Sequence, residues 1–194
     1  MKIACIGGGP AGLYFGILMK RVDPAHQVTI WERNRPDDTF GFGVVFSDAT
    51  LGNLAAADPE SHAAIMASFA HWNDIVIHFG GRVQRSTGHG FAGMSRQKLL
   101  DILQARAQAL GVVIHFEREA PALAELAASH DLVVAADGVN SAVRSELAPH
   151  LTPEVDFRPN RFVWLGTTFP FEAFTFYFRE NEHGLFRVHA YRYQ

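Results

Sequence analysis

Three glycines, Gly7, Gly9 and Gly12, stand at Gly-x-Gly-x-x-Gly spacing directly after the apolar run Lys2–Ile6 and directly before a helix-forming stretch. This spacing suits the binding of a pyrophosphate. The first glycine permits a tight turn, the second lets the main chain approach the phosphates, and the third lets helix and strand pack closely. Pro10 and Ala11 complete the turn, so the free N–H groups and positive end of the helix face the anion. Glu32 closes the next strand-like run, where a carboxylate accepts hydrogen bonds from an adenosine ribose. A glycine turn in an unrelated sheet has no reason to bring strand, helix and acid together.

A second stretch could carry chemistry. Asp137-Gly138-Val-Asn-Ser141-Ala-Val-Arg144 follows the apolar residues 132–136 and opens a short helix. An Asp-Gly pair there makes a sharp turn, and Asp137 can orient hydroxyls or main-chain amides near a second phosphate or a ribityl chain. Taken alone, it reads equally well as a simple turn.

Other chemistries lack support. The ten histidines include no His-x-x-x-His pair, and with one cysteine there is no Cys-x-x-Cys, so no metal site is expected. No Gly-x-Ser-x-Gly elbow is present. Cys5 reads as a small core residue. No catalytic side chain is singled out.

The elements that must position these groups alternate in type. Lys2–Ile6 reads as a buried strand, residues 11–21 as a helix stopped by Asp23-Pro24, and residues 28–31 as a second strand. Residues 36–60 read as a loop around Gly41–Phe42–Gly43 and then a weakly helical, Ala-rich stretch. Ile75–Phe79 reads as a strand and residues 82–93 as a polar hairpin or loop. Ser95 is placed to cap a helix over 96–110, whose Leu99, Leu103, Ala107 and Leu110 keep helical spacing, with Gly111 at its end. Residues 112–116 read as a strand, 122–129 as a short helix and 132–136 as a fully buried strand. This order predicts an α/β fold: a Rossmann-like domain with a mainly parallel sheet.

The texture changes near Thr152. The chain becomes rich in aromatics, and Phe174, Phe176 and Phe178 alternate with Thr175, Tyr177 and Arg179, the period of an antiparallel strand. The expected division is a nucleotide-binding domain over 1–155 and the start of a second, antiparallel sheet over 156–194. There is no internal repeat.

Composition narrows the class. Hydrophobic residues make up 48% and charged residues 19%, which is globular and argues against disorder. A net charge of -3 gives no reason to expect nucleic acid or an anionic membrane as partner. No apolar run has the length of a membrane span, and glycines and a proline break the N-terminal run before it could serve as a signal peptide. With its single cysteine, the chain is expected to be soluble and cytoplasmic.

Together, the Gly7–Gly12 motif and the Asp-Gly-x-x-Ser-x-Val-Arg stretch resemble those of the flavoprotein aromatic hydroxylases. The resemblance implies that the first motif holds the ADP part of FAD and that the second lies near the pyrophosphate, serving FAD and NAD(P)H. It implies further that Arg96 lies near the flavin ribityl-phosphate region and that Gly41-Phe-Gly43-Val44 passes beside the isoalloxazine. The implied cofactor-binding set is Gly7, Gly9, Pro10, Ala11, Gly12, Glu32, Arg33, Gly43, Val44, Arg96, Asp137 and Gly138. Over residues 1–47 and 158–167 the likeness is greater to the flavin half of hydroxylases acting on salicylyl-CoA and 2-aminobenzoyl-CoA. A more distant one, through Asn160-Arg-Phe-Val-Trp164 and His189-Ala-Tyr191, is to hydroxylases of tryptophan derivatives.

The resemblance thus implies an FAD-dependent, NAD(P)H-using monooxygenase acting on an aromatic ring, with an aryl-CoA thioester as substrate. An indole or free aromatic is the alternative substrate, and a non-catalytic nucleotide-binding fragment the alternative role. The family's third signature, a Gly-Asp motif, falls beyond position 194 in relatives. The chain therefore reads as an N-terminal part whose partner is the C-terminal half of the same enzyme, and as inactive alone. The stripe over 174–178 reads first as sheet core and second as a wall for an aromatic substrate. Arg158, Arg161, Arg179, Arg187 and Arg192 read first as solvated surface and second as contacts to CoA phosphates.

Overall fold

The computed structural model describes residues 1–193. In chain order it runs β1 (Lys2–Ile6), α1 (Pro10–Val22), β2 (Gln27–Trp31), β3 (Gly43–Ser47), α2 (Asp48–Ala57), α3 (Pro59–Met66), β4 (Ala70–Trp72), β5 (Ile75–Phe79), β6 (Arg82–Ser86) and β7 (Phe91–Ser95). It continues with α4 (Arg96–Ala109), β8 (Val113–His115), α5 (Leu123–Ser129), β9 (Leu132–Ala135), α6 (Ala142–Glu146), α7 (Ala148–Leu151), β10 (Phe174–Asn181) and β11 (Gly184–Ala190). The chain divides into two compact units, Met1–Thr39 with Leu99–Val163, and Phe40–Lys98 with the residues from Trp164 onward. The units thus interleave along the chain, each built from two segments, and position 155 lies inside the first of them.

The first unit is built on a parallel sheet of order β8-β2-β1-β9. Its central strands are apolar because both faces are covered: Ile3, Ala4 and Cys5 on β1 and Ile30 on β2 are fully buried. Helix α1 turns Leu13, Gly16 and Ile17 inward. A Cβ on Gly16 would sit 3.3 Å from Ile30 Cδ1, so the missing side chain lets the helix lie close to the sheet. Leu99, Leu100, Leu103 and Ala107 of α4 are buried at helical spacing. Each large side chain buried in this core contributes roughly 1.5–3 kcal/mol. Ser95 Oγ accepts from the Lys98 N–H (3.2 Å), and Gly111 follows the helix at φ +82°, both as the sequence requires. The run at 132–136 departs from its expected full burial. Strand β9 is the sheet edge, with Leu132 and Ala135 exposed.

The second unit holds an antiparallel sheet of order β3-β7-β4 and a mixed sheet of order β11-β10-β5-β6. Residues 43–47, expected as loop, form strand β3: Val44 and Val45 lie opposite Met94 and Gly93 in the ladder, where β-branched residues fit. Residues 82–93, expected as a polar hairpin or loop, supply strand β6 and the start of β7. Gly80 and Gly81, both at positive φ, turn β5 into β6. Strand β10 is antiparallel to β11, as its alternation predicts, but parallel to β5, with Phe176 opposite Ile77. Phe174 meets the rings of Phe91 and Tyr191 edge-on, centroids 5.6 Å apart in each case, and Thr175 is buried on the opposite face.

Among the described residues, no helix is long and apolar enough to cross a membrane. Nor do three or more His, Cys, Asp or Glu residues gather among them as metal ligands.

Candidate functional site

Both candidate loops leave the carboxyl ends of neighbouring strands. Strands β1 and β9 pair directly, Ile6 opposite Ala135, while the chain leaving β1 returns as β2 on the other side. This reversal of strand order is a topological switch point, the crevice where open α/β sheets take their ligands.

The glycines do different work. Gly7 adopts φ +105°, and its N–H donates to the Trp31 carbonyl (2.8 Å); a Cβ there would run into the Ala136 carbonyl. Gly12 is buried, and a Cβ on it would collide with the Gly7 carbonyl and lie 3.1 Å from Cys5 Sγ. Gly9 is different. It is the N-cap of α1, in extended conformation and with no side-chain cap, and nothing lies within 4 Å of where its Cβ would be. Pro10 takes the first helical turn, where a missing N–H costs nothing, and Ala11 is exposed. An uncapped helix amino end beside open space at Gly9 fits an anionic phosphate.

Glu32, at the end of β2, is half-buried. Its Oε2 accepts from the Gly8 N–H (2.8 Å), and its Oε1 accepts from the Asn34 main-chain N–H (2.8 Å) and side-chain amide (2.7 Å). Arg33 is exposed. Gly8 and Asn34 are the residues that sequence reasoning passed over. The signal at position 8 was the third glycine of the run, since a Cβ there would sit 2.8 Å from Glu32 Cβ.

Asp137 is turned into its own loop. Oδ2 accepts from the N–H groups of Ala142 (2.8 Å) and Val143 (3.4 Å), and Gly138 sits at φ +81°. Ser141 Oγ accepts from the Arg144 N–H (2.9 Å), and the Arg144 guanidinium donates to the Val139 carbonyl (2.7 Å). Burial pushes the Asp137 carboxyl up, but hydrogen bonds from the Ser141 hydroxyl and from the Val143, Asp137 and Ala142 amides outweigh it and hold the group below the usual range. A carboxyl depressed in the folded state stabilises above its unfolded pKa and loses that contribution as pH falls through the folded value. Asp137→Ala, which removes the acceptor for the Ala142 and Val143 amides, is expected to cost about 1 kcal/mol near neutrality. The gap to wild type should narrow below about pH 4. Melting temperatures across pH check this; a gap that does not change with pH would contradict it.

The second unit carries the other three candidates. Gly43 opens β3 opposite Ser95, Val44 faces Met94 across the ladder, and the Arg96 N–H donates to the Phe42 carbonyl (2.9 Å). Tyr191 lies over Gly43, its Cε2 2.9 Å from where a Cβ would be. Burial raises the Tyr191 phenol, the Arg96 guanidinium opposes that rise, and Tyr193 adds to it. Cys5 is an inert thiol, pushed up to about 12 by burial. The structure thus gathers Gly7, Gly9, Pro10, Ala11, Gly12, Glu32, Arg33, Asp137 and Gly138 in the first unit, and Gly43, Val44 and Arg96 in the second.

No protein-family model matches the chain. Salicyloyl-CoA 5-hydroxylase of a Streptomyces species is 47% identical over 191 residues, 98% of this chain and 37% of that protein. The 3-hydroxy-4-methyl-anthranilyl-[aryl-carrier protein] 5-monooxygenase of Streptosporangium sibiricum is 31% identical over the whole chain and 54% of its own length. The chain therefore spans between about a third and a half of these curated relatives. In fold it is similar to P. aeruginosa PqsL, solved with 2-aminobenzoylacetate: TM-score 0.65, 21% identity, 82% of this chain and 48% of that one. Along nearly its whole length the chain is thus a homologue of this hydroxylase and this monooxygenase, and it shares the fold of PqsL.

Proposed function

We propose that this chain is the nucleotide-binding portion of an FAD-dependent, NAD(P)H-using monooxygenase that hydroxylates the ring of an aryl-CoA thioester, salicylyl-CoA or 2-aminobenzoyl-CoA. The observation that carries this reading is the meeting of the Gly7–Gly12 and Asp137–Gly138 loops at the carboxyl ends of the paired strands β1 and β9. The substrate class is supported by the names of two relatives, whose aryl groups ride on CoA or on a carrier protein. The buried, lone Cys5 suits a reducing cytoplasm.

In this reading the amide end of α1 and the main chain at Gly9 receive the pyrophosphate, and Glu32 accepts from the adenosine ribose. Asp137 and Gly138 shape the neighbouring loop so that its amides face the same nucleotide. FAD, once bound and reduced by NAD(P)H, would supply the oxygen-transfer chemistry. The protein's own part is to bind, orient and exclude water.

The test uses the full-length enzyme that contains this chain, following NAD(P)H consumption and O2 uptake with each thioester, the matching free acids and an indole. Stimulation by the thioesters at least about tenfold above the free acids is expected, as when a remote group contributes binding energy to the reacting centre. Equal turnover on an indole or free acid would replace the substrate assignment. No stimulation by any aromatic would overturn the enzymatic reading.

A further inference from the structure

We infer that Asn34 is a positioning residue for nucleotide recognition, holding the Glu32 carboxylate so that its one unused acceptor site is presented to the ribose of an adenine nucleotide. This rests on the dinucleotide reading of the first unit and adds to it the residue that sets its specificity.

An ionised carboxylate has about four acceptor sites, two on each oxygen. At Glu32 three are already taken. Oε1 receives both the Asn34 main-chain N–H (2.8 Å) and the Asn34 side-chain amide (2.7 Å), and Oε2 receives the Gly8 N–H (2.8 Å). The remaining site belongs to Oε2, the oxygen on the side of the glycine turn. With Asn34 donating twice to Oε1, the carboxylate plane cannot rotate without breaking a charge-assisted hydrogen bond.

Asn34 is itself anchored. Its carbonyl accepts from the Glu117 N–H (3.1 Å), and the Glu32 carbonyl accepts from the Arg118 N–H (3.0 Å). Glu117 is held at φ +54°, a left-handed conformation that costs a non-glycine residue energy and bends the chain after β8 toward these partners. The acid at the end of β2 is thereby oriented before any ligand arrives, by a residue two positions on and by the segment following β8.

The experiment measures dissociation constants by calorimetry for ADP and for 2′,3′-dideoxy-ADP, on wild type, Asn34→Ala and Asn34→Asp, with melting curves for each. Wild type is expected to prefer ADP by about tenfold or more, as for a hydrogen bond to a charged group. In Asn34→Ala the preference should shrink to about two- or threefold, with dideoxy-ADP affinity nearly unchanged. Asn34→Asp keeps the shape but replaces the amide donor with a like charge, and should abolish the preference. The readout is the ratio, which a general loss of fold does not move.

An unchanged ratio in both variants overturns the inference. So does parallel weakening of both ligands with a lowered melting temperature, which would make Asn34 merely structural. A wild type that binds ADP yet ignores the ribose hydroxyls overturns it while leaving the dinucleotide reading in place. A wild type that binds neither nucleotide overturns both.

Discussion

Gly12→Ala is expected to remove nucleotide binding and to destabilise the first unit by about 3 kcal/mol, the upper end of the usual range for core overpacking. The added methyl would meet the Gly7 carbonyl on one side and Cys5 Sγ at 3.1 Å on the other. Neither can yield cheaply. Gly7 is fixed by its N–H to the Trp31 carbonyl (2.8 Å), and Cys5 is fully buried on β1. Relief requires moving α1 off the sheet, which takes the amide end of the helix with it. Gly9→Ala is the control, because a Cβ there meets nothing within 4 Å. That variant should melt like wild type and lose nucleotide affinity only, since its methyl stands where the phosphates approach. Thermal melts and ADP calorimetry on the pair separate the effects. A Gly12→Ala protein with wild-type melting and affinity would contradict the packing argument.

Gly93→Ala should be comparably damaging in the second unit, at about 2–4 kcal/mol, or roughly 5–15 °C in melting temperature. Gly93 lies on the central strand of the β3-β7-β4 sheet, and a Cβ would sit 2.6 Å from Trp72 Cη2 and 2.9 Å from both Trp72 Cζ3 and the Arg192 carbonyl. The indole cannot swing away. It is buried and stacked on Tyr191 at 6.0 Å, with Phe174 against it edge-on at 6.4 Å. A glycine inside a strand marks such a close approach. Near-ultraviolet circular dichroism should show the loss of the Trp72–Tyr191 stack. A variant with an unaltered aromatic signal and unaltered stability would show that the ring moves freely after all.

The parts of the fold legible in the sequence are those whose cause is local. Lys2–Ile6, the helix that Pro10 opens, and the Ser95 cap each follow from residues within a few positions of one another. Strand β3 was not legible, because the partners that make a strand of Gly43–Ser47 are in Phe91–Ser95, and glycines on both sides of the ladder mask the alternation. The parallel pairing of β10 with β5 is equally remote, and it explains why Phe40–Lys98 joins the later residues in one unit. The apolar run at 132–136 read as fully buried, yet an edge strand leaves part of each face open; periodicity does not report position within a sheet.

The candidate site divides in the same way. Glycine spacing marks Gly7 and Gly12 because close backbone contacts there exclude a side chain, while at Gly9 it marks open space beside the helix end. Asp137 was legible as a turn former, though not the direction of its carboxylate, which is spent on the Ala142 and Val143 amides. Asn34 carried no signal, since a polar residue after a strand is ordinary and its role depends on where Glu32 comes to rest.

A single adenine-dinucleotide site, formed by the glycine turn after β1 and the Asp-Gly turn after β9, is the central claim. The most direct measurement is a titration of the protein with FAD, followed by flavin fluorescence and repeated with ADP as competitor. Saturable binding of one FAD per chain, displaced by ADP and lost in Gly12→Ala, is the predicted result. FAD and ADP that produce no saturable signal, or FAD binding that ADP does not displace, would contradict it.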